Sequence, residues 1–558
     1  MLKSWVCIWG ACALMDVWQQ PYDFTSEIVR VLCAVLAVVA ILHRSSATMV
    51  LAMLMRNLIR AGKLPYIWDS EIWAFSTDAA VVLACCRKGF RTEDGDKAIQ
   101  AAAPIVRTLL GMFYFAAGFW KINSSFLDSR VSCGSIFTAS LLTQLWPASW
   151  GEIPTPVARM VVQLGPYLTI VGECGAGLLA LLPNRQSNLL GLVLMILLHV
   201  GISFTAFPNG IANFSYCAAT RYFFFLPASC ATVLCEALAV PSSLAGFAGR
   251  SIAVALLSAA WYCGQAAGPQ HMGAVFFSAL SIMCLFALPK ELAQQAAHTD
   301  SKQALASVAS LGVSGWTWVL VVSVPVFLTQ VLGLQDLGAP ASPFSSIRVH
   351  GGSNHLLLPT GLLQAWSAAA SIEETPFAGG IVRVEYTDSN WLNSLYPADH
   401  SEALRLEIRD VLHRGGHIAR QFNPTPRRVL GEEIRAFMPH WVPEEGKPFM
   451  PYTVPAMEFR RMLSEVALAG ENCTIAYTRL NDTLGDERWR AFAAGQEVKV
   501  AIVNGKVDTC FLSGAQSCPK DELAMQPDIG FWPSMSTAFF PHPILPDAYE
   551  TGELPCMD

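Results

Sequence analysis

Residues 105–122 read Ile-Val-Arg-Thr-Leu-Leu-Gly-Met-Phe-Tyr-Phe-Ala-Ala-Gly-Phe-Trp-Lys-Ile, an apolar run whose only charges are Arg107 near its start and Lys121 at its end. A helix needs about 20 such residues to cross a hydrocarbon core. Runs of the same kind recur at Ile28 to Leu42, Ile72 to Cys86, Met160 to Leu182, Leu189 to Phe207, Tyr216 to Val240, Ile252 to Gly264, Met272 to Leu288 and Val313 to Leu334. They predict a polytopic α-helical membrane bundle of about nine transmembrane helices over residues 1–337. Trp5 to Met15, preceded by Lys3, suits either a signal h-region or a short first helix.

Composition agrees. The chain has 558 residues, 53% hydrophobic and only 14% charged, with a mean hydropathy of +0.40. Soluble domains carry about 25% charge, so the composition argues against a wholly soluble enzyme. Lys and Arg number 37 against 43 Asp and Glu, which leaves no broad basic surface for nucleic acid. None of the 16 Cys forms a CxxC pair, so no zinc or other metal is expected. The partner expected instead is the lipid bilayer.

From about Gly338 the sequence turns charged, Pro-rich and β-compatible, which predicts a mixed α/β, β-rich soluble domain over residues 338–558. Glu497 to Val503, Asn504-Gly505 and Lys506 to Leu512 form an alternating pair about the dipeptide that a type I′ hairpin needs. Gly380 to Tyr386 reads as a strand and Ser401 to His413 as a helix.

Basic loops orient the bundle. Arg87, Lys88, Arg91 and Lys97, then Arg185, Arg250, and Lys290 with Lys302 alternate as cytoplasmic, which puts the tail in the lumen or outside the cell. Arg44, Arg56, Arg60 and Lys63 count against this order, and a further segment near Met49 would reconcile them. The tail carries glycosylation acceptors at Asn472 and Asn481, and Cys473, Cys510, Cys518 and Cys556 are available for disulfides in an oxidising compartment. The expected location is the endoplasmic reticulum or another secretory membrane.

Ionisable residues inside apolar helices are costly and so mark functional sites. Lys121 ends one helix, Glu173 lies within a second and His199 within a third. The last two helices are joined by Pro183-Asn184-Arg185-Gln186-Ser187, with Glu173 and His199 both roughly 18 to 21 Å above that turn at 1.5 Å per residue. A carboxylate and an imidazole at one depth can share a proton. Arg221 falls near the outer end of its own helix. Each has a plain alternative: Lys121 and Arg221 as interfacial anchors, Glu173 with His199 as an interhelical hydrogen bond of about 0.6 to 2 kcal/mol.

The stretch Tyr114-Phe115-Ala116-Ala117-Gly118-Phe119-Trp120-Lys121-Ile122-Asn123-Ser124-Ser125-Phe126-Leu127 resembles the segment YFxAGxxKLxxxWL of vitamin K-dependent γ-carboxylase and related horizontally transferred transmembrane (HTTM) domain proteins. The helices carrying Glu173 and His199 resemble the next two of that family, with a motif core over residues 104–225. Phe344 to His350 is similar to the start of the carboxylase lumenal region. Trp120 stands where the animal carboxylases have a second lysine, and Asn123 where they have an acid. The resemblance implies a lumen-facing pocket in which Lys121 is the base toward a reduced, vitamin K-type quinone. In that family oxygen then adds to the quinone anion, and the strong base so formed removes a proton from a glutamate of a secretory-pathway protein substrate, which captures carbon dioxide. His199 and Glu173 would orient or shuttle protons, and Tyr114, Trp120 and Arg221 would bind the cofactor. Two other classes stand beside this one: a quinone-binding redox or proton-coupled protein without carboxylation, and a non-enzymatic bundle whose tail binds a partner.

Overall fold

The computed structural model describes residues 2–19, 27–62, 69–90, 92–129, 132–151, 153–183, 185–203, 218, 220–225, 312–335, 342–349, 353–369, 380–389, 392, 452–480, 497–513, 516–520, 522–526, 530–532, 537 and 542–543. The runs Ile252 to Gly264 and Met272 to Leu288, most of Tyr216 to Val240, and the expected helix Ser401 to His413 lie outside them, as do Asn481 and Cys556. The chain forms two units: residues 1–119 with 169–326, and residues 120–168 with 327–558.

The first unit is helical. Its chain order is α1 (Leu2–Gln19), α2 (Glu27–His43), α3 (Ser46–Gly62), α4 (Asp69–Lys88), the bulk of α5 (Thr92–Trp120), the C-terminal half of α8 (Thr155–Leu181), then α9 (Arg185–Ser203) and the first part of α10 (Val313–Leu332). The first run is a helix that continues back to Leu2, and α3 supplies the further segment expected near Met49. Small residues let backbones approach, as they do between membrane helices. A Cβ on Gly177 of α8 would stand 2.4 Å from the Phe115 nitrogen of α5, and one on Gly191 of α9 would stand 2.8 Å from the Ala180 nitrogen.

The outward faces are apolar too. Ile28, Val31, Val35 and Leu42 of α2 are exposed, as are Val171 and Leu178 of α8 and Leu320 and Val321 of α10. Among the described residues three helices are long and apolar enough to cross a membrane, namely 94–120, 156–181 and 313–332. The expectation of about nine spans is not supported. Residues 5–17 and 186–199 are apolar but shorter, α3 carries Arg56 and Arg60, and α4 carries Glu71 and Asp78.

The second unit contains α6 (Ser124–Leu127), α7 (Cys133–Leu145), α11 (Leu362–Ala369), α12 (Ala456–Leu468) and an antiparallel sheet. Its strands are β1 (Ile381–Thr387), β2 (Tyr452–Pro455), β3 (Cys473–Leu480), β4 (Glu497–Val503), β5 (Lys506–Leu512), β6 (Gln516–Ser517) and β7 (His542–Pro543), in the order β6-β5-β4-β3-β1-β2-β7. On α12 the stripe Phe459, Met462, Leu463 and Val466 has the spacing of one helix face, and it packs with Val382, Val384, Ile475, Val498, Val500 and Ile502. Under it, Arg461 donates two hydrogen bonds to Glu458, at 3.0 and 2.8 Å, and burial pulls its guanidinium down to about 10.

The β4–β5 hairpin forms as its sequence requires. Val503 pairs with Lys506, and Asn504 and Gly505 both take left-handed φ, 50° and 71°. Gly505 is doubly constrained, because a Cβ there would also stand 2.3 Å from the Ala467 carbonyl oxygen of α12. Gly505→Ala is therefore expected to cost the sheet domain about 1–3 kcal/mol. Limited proteolysis of the full chain checks this, through earlier cleavage within residues 452–513.

Candidate functional site

Lys121 follows the last turn of α5 and is buried. Its Nζ donates a 2.7 Å hydrogen bond to the Pro343 carbonyl oxygen and stands 5.7 Å from the centre of the Phe126 ring. Trp120 beside it is fully buried; Phe327 packs on its ring at 4.8 Å and the His355 ring meets it edge-on at 5.1 Å. The residue motif at 114–127 and the loop after α10 thus meet, though 222 positions separate Lys121 from Pro343.

Asn123 joins the two. In extended conformation it caps α6, its side chain accepting from the Phe126 N–H. Its Nδ2 donates to the Trp120 and Ser345 carbonyls at 2.8 and 2.7 Å. Asn354 completes the tie: its Nδ2 donates to Ser125 Oγ and to the Ser346 carbonyl, and its Oδ1 accepts from the Arg348 N–H. An acid at position 123 would lack the Nδ2 donor, which gives the asparagine there a structural reason. His355 Nδ1 accepts from the Leu357 and Leu358 N–H groups at 3.3 and 3.0 Å. That acceptor role puts the proton of a neutral ring on Nε2.

The loop is strained. Phe344 and Ser346 both have left-handed φ, 50° and 51°, a conformation costing a non-glycine residue of order 1–3 kcal/mol and concentrated at functional sites. The Phe344 ring meets Phe137 edge-on at 5.6 Å, which accounts for its side chain.

In the first unit Tyr114, His199 and the unanticipated Tyr222 come together. The tyrosine hydroxyls are 2.6 Å apart, and the His199 ring is edge-on to both, at 5.7 and 6.0 Å. Glu173 is near enough to act electrostatically on the Tyr114 hydroxyl, and Gly118 admits it: a Cβ there would meet Glu173 Cβ at 3.0 Å.

Arg221, expected to contact the cofactor, is buried against α4. It donates to Asp78 Oδ1 at 2.7 Å, to Thr77 Oγ1 at 2.8 Å and to the Ala74 carbonyl at 3.0 Å, because Asp78 faces it from α4. Asp78 Oδ2 also takes Arg60, at 2.9 Å, and Arg56 pairs with Asp16. All five charged groups are buried. Lone acids within apolar helices were the available signal for Asp16 and Asp78.

In the sheet domain Cys510 of β5 and Cys518, the residue after β6, are disulfide-bonded, and Cys133 at the start of α7 is disulfide-bonded as well. Cys473 is instead a buried thiol, since its place on β3 turns it into the core under α12. Burial pushes this thiol up to about 11, with Asp388 and Glu471 adding to the effect. Thiolate is thus scarce below that pH, so Cys473 is expected to resist iodoacetamide at pH 8.5 and to react once denatured; peptide mass mapping checks this. Asn472 is exposed, and its Oδ1 accepts the Asn504 N–H at 2.6 Å. Among the described residues no three His, Cys, Asp or Glu side chains gather to hold a metal.

A family profile described as a domain of unknown function, DUF8388, matches residues 353–534, a span that takes in His355 and the sheet up to β6. No curated protein and no solved structure matches the chain.

Proposed function

We propose that this chain is a multi-pass membrane enzyme that couples oxidation of a reduced, vitamin K-type quinone by dioxygen to carboxylation of a glutamate side chain by carbon dioxide, with Lys121 as the base. The observation that carries the reading is the buried Lys121 amine at the end of an apolar helix, between an aromatic ring and the Pro343 carbonyl. The donor set fits a flat apolar ring bearing hydroxyls: Lys121 offers an amine, and Phe126 an aromatic surface. Such a cofactor would supply an acidic hydroxyl and reducing equivalents. Lys121 accepts a proton at Nζ, and the Pro343 carbonyl fixes one N–H so that the remaining valences point in set directions. Burial keeps bulk water from the amine.

Exposed apolar faces on α2, α8 and α10 support membrane embedding. If α1 to α4 each cross, Arg44, Arg87 with Lys88, and Arg185 share the cytoplasmic side, while Arg56 and Arg60 drop out of the count as paired, buried groups. The tail is then lumenal, in keeping with the Cys510–Cys518 disulfide. The segment after His355 would lie at the membrane surface. Its Leu356 N–H bonds the Ile122 carbonyl and its Gly361 N–H the Gln330 carbonyl, which ties it to the ends of α5 and α10, and Leu356, Leu357, Leu362 and Trp366 are exposed.

The test is incorporation of labelled bicarbonate into glutamate peptides by membranes containing the chain, with and without reduced vitamin K. Incorporation that requires the hydroquinone supports the reading, and none with intact, inserted protein overturns it. A second reading, quinone-linked proton transfer without carboxylation, is favoured by the Tyr114–Tyr222 hydroxyl pair beside His199. It predicts quinone reduction with no fixed label.

A further inference from the structure

The loop after α10 holds two hydroxyls that the fold does not use. Ser345 and Ser346 are buried to 0% and 1% exposure, and neither Oγ has a hydrogen-bond partner among the described residues. Buried polar groups are almost always satisfied, so two adjacent exceptions call for a cause. The acceptors of the same loop are already engaged. Lys121 takes the Pro343 carbonyl, Asn123 the Ser345 carbonyl and Asn354 the Ser346 carbonyl. What remains is a pair of O–H donors, whose complement is an oxygen acceptor.

Backbone conformation points the same way. Ser346 is held at a φ of 51°, where glycine would be unstrained. Its carbonyl bond to Asn354 would serve a glycine equally well, so that bond does not explain a side chain here. Phe344, the other left-handed residue, has its ring packed on Phe137. The Ser346 hydroxyl has no such contact among the described residues.

We propose that Ser345 and Ser346, on the loop whose Pro343 carbonyl takes the Lys121 amine, form a binding site for an anionic oxygen group, the chemistry shared by a substrate carboxylate and a quinol phenolate. The site rests on the reading of Lys121 as the working amine, but it makes no use of carboxylation. Ligand binding can therefore fail while label incorporation succeeds, and the reverse.

The experiment is thermal unfolding of the full chain in nanodiscs, with glutarate in one arm, menadiol in another, and chloride at equal ionic strength as control. At roughly a hundredfold excess over Kd, a ligand that uses the site is expected to raise Tm by about 2 °C or more. Glutarate acting alone assigns the carboxylate, and menadiol acting alone the phenolate. In Ser345→Ala and Ser346→Gly the shift is lost, while the unliganded Tm is unchanged or higher, because an unsatisfied hydroxyl, and at 346 a strained backbone, has been removed. Hydroxyls with a purely structural role would lower the unliganded Tm of both variants, and that result overturns the proposal. So does a ligand shift that survives both substitutions, or the absence of any shift beyond chloride in the unsubstituted chain, which a trapped water at these hydroxyls would give.

Discussion

Lys121→Ala is expected to lower hydroquinone-dependent bicarbonate incorporation by about 10²–10⁴-fold, the range a positioned general base contributes. Turnover has to be separated from folding, since the same change leaves the buried Pro343 carbonyl without its donor, at a cost of about 1–3 kcal/mol. Lys121→Arg makes the separation. A guanidinium keeps the positive charge and can still donate to Pro343, yet it holds its proton at any physiological pH and cannot act as a base. If Lys121 is the base, alanine and arginine variants are both inactive, and the arginine variant unfolds at nearly the original temperature. Activity retained in the arginine variant would mean that Lys121 only ties the loop to α5. Thermal unfolding and label incorporation on the same nanodisc preparation give both readouts.

Local features of this chain were legible wherever the physics was local. Asn504-Gly505 between two alternating segments forms the expected hairpin, because only residues tolerant of positive φ can make that turn. The apolar runs at Ile28 to Leu42, Ile72 to Cys86, Met160 to Leu182 and Val313 to Leu334 are helices for an equally local reason. Helix α3 was legible only through the order of the basic loops, because Arg56 and Arg60 interrupt its apolar pattern. Their neutralisation depends on Asp16 and Asp78, which lie 40 and 18 residues away, and no periodicity reports such a pairing. The Lys121 site was legible only by half. The lysine stood out as an ion in an apolar run, whereas its hydrogen-bond partner Pro343 lies 222 residues further on, and the left-handed positions beside it are held by Phe344 and Ser346 rather than by the Gly or Asn that would signal that conformation. Arg221 shows the converse: a charge flagged on the same grounds as Lys121 has its donors committed to Asp78 and Thr77. Burial of a charge therefore locates a candidate, and only its partners distinguish a working group from a structural one.

That distinction sets the largest stability effect expected here, at Asp78. Its two carboxylate oxygens hold Arg60 at 2.9 Å and Arg221 at 2.7 Å, with all three side chains at most 6% exposed. Asp78→Ala leaves two guanidinium groups facing one another without their shared counter-charge, and breaking a buried pair by removing one partner costs about 3–5 kcal/mol. The variant is expected to accumulate poorly in membranes and to unfold at a clearly lower temperature than the unsubstituted chain. Asp78→Asn keeps the shape and some hydrogen bonding but not the charge, so it should fall between the two. The combined replacement Arg60→Met, Asp78→Leu, Arg221→Met removes the charges together, and replacing a whole buried triad by apolar side chains is often neutral or stabilising. Recovery of Tm in the triple variant would show that the network's cost lies in desolvating its ions and that it holds α3 and α4 to the segment around Arg221 by mutual neutralisation. If Asp78→Ala alone melts like the unsubstituted chain, the guanidinium groups must reach water or another anion, and the description of a closed Arg60–Asp78–Arg221 network would have to be abandoned. If Lys121 is the base, Lys121→Arg and Asp78→Ala act in opposite ways, one on turnover with the fold retained and the other on the fold itself, and comparing them on one preparation tells the two kinds of buried charge apart.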